Sequence, residues 1–186
     1  MPATSEFRII DWGSATITQE LLEKCAKLFS ENYGTWGEMG FSPGRSVKLS
    51  PSRLKSDYLF NPQTCSLITA DTGANGETVA HAFVCSFPFS NGYAVWITQL
   101  VVRKDMRNKG LATELIAKAW KKDAVAWGLM TSHPYAVRAL ESATQRKWCA
   151  SVNHYITTDR WAGGEENTLS VKFGPALDRK WTADGL

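Results

Sequence analysis

The residues best placed to do chemistry lie together between Gln99 and Thr113. Arg103, Lys104, Arg107 and Lys109 make a short basic run that ends at Gly110. After Gly110, the residues Leu111, Ala112, Leu115, Ile116, Ala119 and Trp120 fall on one stripe at helical spacing, with the Glu114 and Lys118 pair on the opposite face. Before the basic run, residues 94–102 are nearly all apolar or β-branched, which suits a central strand buried on both faces. The first backbone N–H groups of a helix have no partner inside it and carry the positive end of its dipole. A pyrophosphate satisfies such groups. Gly110 lets the backbone approach closely or take a positive φ, and Arg107 and Lys109 add full charges beside it. The plainer alternative is a solvated basic turn.

Other reactive side chains are scattered. Ser132, His133 and Tyr135 stand at the start of a later helix, where His133 titrates near neutrality or is simply an exposed helix-start residue. His81 reads as a hydrogen-bonded histidine of the sheet rather than a catalyst. Cys25, Cys65, Cys85 and Cys149 form no C-x-x-C spacing, so neither a metal site nor a disulfide framework is expected. Reduced, partly buried thiols point to a cytoplasmic protein.

The elements that must position these groups follow from periodicity and turns. Residues 7–12 read as a first strand. Thr16 or Thr18 caps a helix, with Gln19 placed for a capping box with Thr16, and Leu21, Leu22, Cys25, Leu28 and Phe29 form its apolar stripe. The glycine-rich residues 33–48 read as a long irregular binding loop. Ser50-Pro51 starts a short helix with Leu54 and Tyr58 inward. Residues 65–70, 78–87 and 93–102 are strands joined at Asn75-Gly76 and Asn91-Gly92, with Pro88 tolerable near a strand end. The helix after Gly110 is expected to reach Lys122 and to cross over to a parallel strand at residues 125–130. A helix then runs from Ser132-His133-Pro134 to about Arg146. Residues 148–156 and 169–173 supply two further strands, separated by the Gly163-Gly164 loop, and residues 178–186 read as a loose tail.

Composition sets the outer bounds. The 186 residues, 44% hydrophobic, fit one domain over residues 1–186. A net charge of +3 is too small to argue for a nucleic-acid partner, and no apolar segment resembles a leader or a membrane span.

Arg107-Asn108-Lys109-Gly110-Leu111-Ala112 fits the R/Q-x-x-G-x-G/A signature of the GCN5-related N-acetyltransferases, the GNAT superfamily, and the strand ending in Leu100-Val101-Val102 resembles the one that precedes it there. The resemblance is firmest from Trp96 to Trp120. The order β-αα-β-β-β-α-β-α-β-β extends it, and the whole chain more loosely resembles uncharacterised fungal members. It implies an α/β (α+β) fold with a mixed, largely antiparallel sheet, flanked by helices and opened at a parallel β-α-β acyl-CoA cleft. It implies acetyl-CoA as co-substrate without a metal, held by Leu100, Val101, Val102, Arg107, Asn108, Lys109, Gly110, Leu111, Ala112, Thr113, Ser132 and Ala136. The acetyl group would pass directly to a small-molecule or peptide amine. Tyr33, Trp36, Glu38, Phe41 and Trp96 fall where that acceptor would lie, although Trp36 and Phe41 would equally serve to pin the loop to the core. A monomer or homodimer is expected, with no nucleic-acid or membrane partner.

The chain departs from the resemblance at two places. The family's usual glutamate base falls near Trp96 or Gln99, and Gln99 either orients water or substrate or is a hydrogen-bonded amide of the sheet. The usual asparagine and tyrosine of the later helix fall at Ser132 and Leu140, which leaves Ser132, His133 or Tyr135 as substitutes. Glu38 and Asp57 are further titratable groups. A non-catalytic acyl-CoA-binding or regulatory module is the alternative function.

Overall fold

The computed structural model describes residues 7–73, 76–89, 91–121, 124–131, 133–145, 150–151, 154–160 and 166–172. Its main elements are β1 (Phe7–Gly13), α1 (Gln19–Asn32), α2 (Pro51–Tyr58), β2 (Cys65–Thr72), β3 (Thr78–Phe89), β4 (Gly92–Val102), α3 (Leu111–Lys118), β5 (Ala124–Met130), α4 (Pro134–Thr144), β6 (Ala150–Ser151), β7 (His154–Arg160) and β8 (Glu166–Lys172). The strands form one sheet in the order β1-β2-β3-β4-β5-β8-β7-β6. The first four run antiparallel, β4 and β5 are parallel, β5 and β8 are parallel, and the far edge is antiparallel again. This is the mixed, largely antiparallel α/β architecture expected, with one feature that periodicity does not carry. The last strand inserts beside β5 rather than at the edge.

Helices cover both faces. Ala80, Ala82 and Val84 of β3, with Val95 and Ile97 of β4, pack under Leu111, Leu115 and Ile116 of α3 and Leu140 of α4. Phe83 and Cys85, pointing the other way, pack with Leu67 against Leu21, Leu22 and Cys25 of α1 and Leu54 of α2. Successive side chains alternate across a strand, so a strand covered on both sides must be apolar at every position. That is why β3 and β4 read as unbroken apolar runs.

Local corrections have clear causes. Thr18, not Thr16, caps α1, accepting the Leu21 N–H at 3.2 Å. The Thr16 hydroxyl donates instead to Gly13 O at 2.8 Å, and Gln19 Nε2 donates to Glu23, so no capping box forms. Ser50 caps α2 as expected, accepting the Arg53 N–H at 3.2 Å. Helix α3 stops at Lys118, short of the expected Lys122, because the Ala119 and Trp120 N–H groups close a tightened last turn on the carbonyls of residues 115–117. Trp120 therefore leaves the buried stripe and stacks on Trp127, ring centres 4.7 Å apart. Residues 33–48 have no long strand or helix, but they close on themselves. Trp36 N–H donates to Arg45 O, Val47 N–H to Gly34 O, and Thr35 bridges Ser46. Of the expected strand at residues 148–156, only 150–151 and 154–156 lie within the described residues. Phe173, the Gly163-Gly164 loop and the tail lie outside them.

Leu54, fully buried between α1 and the sheet, tests the weaker-looking layer. Leu54→Ala should lower unfolding free energy by about 2–5 kcal/mol in urea titration, and a loss below that range would mean the α2 face contributes little.

Candidate functional site

The site begins where two strands part. β4 pairs with β5 only from Tyr93 to Ile97, the last pair being Ile97 with Leu129. Beyond it β5 is held by β8, and, among the described residues, 98–102 of β4 keep a strand partner only in β3. A bulge sets the phase of this free edge: Val84 pairs with Ile97 and Phe83 with Gln99, so Thr98 is extra, its hydroxyl donating to Phe83 O at 3.2 Å. Arg103 N–H donates to Val79 O at 2.8 Å. Hydrogen-bonded pairs alternate along an antiparallel ladder, so Val101 and Gln99 direct their backbone groups to β3, while Leu100 and Val102 direct theirs into the opening. Of the three residues expected to meet a ligand through the backbone, Leu100 and Val102 face it.

The turn that follows is built for a backbone approach. Asn108 and Gly110 take φ of +61° and +82°, and no side chain caps α3. A Cβ placed on Gly110 would meet nothing within 4 Å, so the requirement for glycine is conformational. The N-terminal N–H groups of α3, from Leu111, Ala112 and Thr113, thus open beside the unpaired edge of β4. Ala136 sits partly buried on α4 against the core shared with α3. Ser132 lies outside the described residues.

The basic residues are less alike than their sequence suggests. Arg103 is engaged by Glu77 and, at 2.7 Å, by Asp105. Arg107 donates through Nη2 to Asn32 O at 2.6 Å and through Nε to Val102 O at 3.3 Å. The buried Asn32 also accepts the Lys104 N–H at 3.0 Å and donates from Nδ2 to Leu28 O at 2.9 Å. Arg107 and Asn32 therefore lock the turn to the end of α1. Lys109 is exposed, with Nζ 3.4 Å from Met106 Sδ. Sequence reasoning passed over Asn32, because an asparagine at a helix end reads as a generic stop signal.

On the α1/α2 face, Trp96 closes the base of the opening. It pairs with Gly128, and a Cβ on Gly128 would fall 1.7 Å from the Trp96 ring. The indole thus lies directly on the glycine backbone of β5. Deeper on the same face, His81 Nε2–H donates to Gln99 Oε1 at 2.8 Å. Both side chains are buried, and His81 Nδ1 and Gln99 Nε2 have no partner among the described residues. Gln99 is thus an amide of the sheet, and His81 is only half satisfied. Burial pushes the His81 pKa from 6.5 down to about 4, against a smaller opposing effect of the Gln99 hydrogen bond.

The loop at residues 33–48 stands over this face. Tyr33 stacks on Phe29 at 4.3 Å and remains half-exposed, while Trp36 is partly buried and meets Phe41 edge-on at 5.6 Å. Phe41 is 95% exposed, so it does not pin the loop to the core. Glu38 is exposed at the loop tip.

Across the opening, His133 caps α4, its Nδ1 accepting the Tyr135 N–H at 3.3 Å. Burial, then the Arg107 charge, lowers its pKa. A neutral imidazole whose Nδ1 accepts carries its proton on Nε2. Leu140, at the place of the expected acid, is buried in the core. Among the described residues no group of three or more His, Cys, Asp or Glu side chains could hold a metal ion.

His81 and His133 give a testable pH dependence. The unfolded chain protonates His81 near pH 6.5 and the folded chain only near 4, so the unfolded state holds more protons in that window. Stability should be complete above about pH 6.5 and fall towards pH 4, with His133 acting in the same direction. Urea midpoints across this window should drop, and drop less in His81→Gln; a flat profile would contradict the burial of a neutral imidazole.

Comparisons with known proteins agree with this geometry. No curated protein is significantly similar to the chain in sequence. Among solved structures, an aminoglycoside acetyltransferase from an uncultured soil metagenomic sample, crystallised with sisomicin, matches with a TM-score of 0.55 at 14% identity, covering 78% of this chain and 93% of that one. A possible acetyltransferase from Clostridium difficile matches at 0.53 and 18% identity, covering 79% and 94% respectively. AAC(6')-Iy, solved with the bisubstrate analog CoA-S-monomethyl-acetylneamine, matches at 0.52 and 16% identity, covering 80% and 95%. At these identities the likeness is one of fold. The sequence model of the Acetyltransferase (GNAT) family matches residues 22–142, which span α1 through most of α4 and include both the parting strands and the glycine turn. The chain therefore belongs to the GNAT acetyltransferase family.

Proposed function

We propose that this chain transfers an acetyl group from acetyl-CoA directly to an amine. The observation that carries the reading is the juxtaposition of the β4 edge at Leu100 and Val102, which has no strand partner on the side of the opening and whose Val102 carbonyl is met by Arg107, with the N-terminus of α3 at Gly110, which no side chain caps. The first suits the amide-bearing pantetheine arm, which can add to the edge as a strand would. The second suits the pyrophosphate, with Lys109 as its flexible counter-charge. Arg107 contributes chiefly by holding the turn in place.

In the reaction the amine nitrogen bonds to the thioester carbonyl carbon, the carbon–sulfur bond breaks, the amine loses a proton and the thiolate gains one. A β4 backbone N–H directed into the opening would stabilise the carbonyl oxygen as charge develops on it. His133, neutral and protonated on Nε2, is suited to donate a hydrogen bond to the departing sulfur, with Ser132 beside it in sequence. Gln99 is already held by His81, which makes it a wall of the site rather than a base. Holding the two reactants together supplies much of the rate. The acceptor, a small-molecule or peptide amine, would enter over Trp96 under Tyr33, Trp36 and Glu38.

The second reading, an acyl-CoA-binding or regulatory module without turnover, is favoured by one observation. The places of the family's base and acid hold Trp96 or Gln99 and the buried Leu140. The two readings separate in an amine, polyamine and peptide panel: coenzyme A release above background supports transfer, and binding without release supports the module.

The primary test is thermal unfolding with acetyl-CoA, free coenzyme A and ATP. At a hundredfold excess over Kd, binding to the folded state adds about 2.7 kcal/mol, or a Tm rise of about 5–10 °C for a chain of this size. Both coenzyme A species should raise Tm, ATP should not, and Gly110→Glu should abolish the shift while the chain stays folded. No shift with either species would overturn the reading. Trp36→Ala should change the acceptor KM several-fold and leave acetyl-CoA affinity unchanged; the reverse would remove Trp36 from the acceptor wall.

A further inference from the structure

The α1/α2 face holds a second reactive group that acetyl transfer does not use. Cys65 on β2 and Cys85 on β3 are cross-strand partners, and both are free thiols. Ser86 N–H donates to Thr64 O at 2.7 Å, which makes the neighbouring 64/86 pair the hydrogen-bonded one. Cys65 and Cys85 therefore occupy a non-hydrogen-bonded position, where opposing Cα atoms of an antiparallel pair approach to about 4.5 Å. That spacing lies inside the range a disulfide spans without backbone movement, about 4.4–6.8 Å.

Both side chains point into the same cluster beneath α2, and each sulfur lies 3.8 Å from the Thr64 hydroxyl. Burial first, and then the neighbouring Cys65, raises the Cys85 pKa, so attack requires the minor thiolate form. The other described cysteine, Cys25, shares their cluster from α1 but is not their cross-strand partner, and burial pushes its pKa up to about 12. Cys85 is buried but retains 8% exposure, more than Cys65, and Thr64 beside it is partly exposed. A small oxidant therefore has an approach to one member of the pair.

We propose that Cys65 and Cys85 form a dithiol modification site, which a small disulfide such as glutathione disulfide converts reversibly to an intrachain bridge. One cysteine, as thiolate, attacks the glutathione disulfide, giving a mixed disulfide and releasing one glutathione thiolate. The second cysteine then attacks the protein-bound sulfur of that mixed disulfide, closing the Cys65–Cys85 bond and releasing the second glutathione. The two cysteine protons end on the two glutathione thiols. The cysteine pair loses two electrons and one glutathione disulfide gains them. The site does not depend on acyl transfer. It lies in the same row of the sheet as Trp96 and Gly128, since Cys85 pairs with Trp96 across β3 and β4.

The test uses the folded full chain with glutathione disulfide, followed by alkylation, intact mass and peptide mapping. The expected product has lost two hydrogens, contains a Cys65–Cys85 linked peptide, and shows two alkylatable thiols where the untreated chain shows four. Dithiothreitol should restore all of them. Cys65→Ser should lose the bridge and stop at a single glutathione adduct on Cys85, and Cys85→Ser should lose the bridge and leave Cys65 unmodified. An unreactive pair, a stable adduct in the native chain, or a bridge to Cys25 or Cys149 would each overturn the proposal.

Discussion

The whole site depends on one interruption of backbone pairing. A parallel β4–β5 ladder carried to its end would satisfy every N–H and C=O along β4 and leave nothing for a ligand. Instead the ladder stops at Ile97 and Leu129, and β8 takes over the far side of β5. Backbone polar groups are obligatory hydrogen-bonders, so an edge left unpaired within a fold is a binding site in waiting. The extra residue at Thr98 decides which groups are offered, by turning Leu100 and Val102 into the gap and leaving Val101 to β3. Leu111, Leu115 and Ile116 fix α3 on the sheet so that its uncapped end meets that edge.

Holding the glycine turn in register falls to Asn32 and Arg107, which join segments more than seventy residues apart in sequence. A buried asparagine whose side chain serves both a helix carbonyl and a loop N–H is costly to replace. Truncation would remove the side-chain tie to the Lys104 N–H. The same residue ends α1, so the glycine turn and the loop that begins at Tyr33 hang from one point.

Most of the framework was legible in the sequence because two-sided burial forces apolar runs and Asn-Gly pairs mark hairpins. The glycine turn was legible as well, since a positive φ before a helix selects Gly110. What escaped was long-range. Nothing local distinguishes Asn32 from any other helix end, or Arg107 the staple from the exposed Lys109. The insertion of β8 beside β5 depends on tertiary pairing that no periodicity encodes. Trp120 was misplaced because helical spacing continues in the residue pattern past the point where the tightened turn ends α3. Gly128 gave no signal at all; only the indole lying on it explains why a strand interior carries a residue that weakens strands.

That contact makes positions 96 and 128 a single volume shared between two strands. Any side chain at 128 must be subtracted from the one at 96, and the indole already claims the whole of it. The two sites are therefore not free to drift separately. A lineage widening this pocket must shrink residue 96 first, and only afterwards does position 128 become open to anything but glycine. The order of substitutions is thus constrained by packing alone.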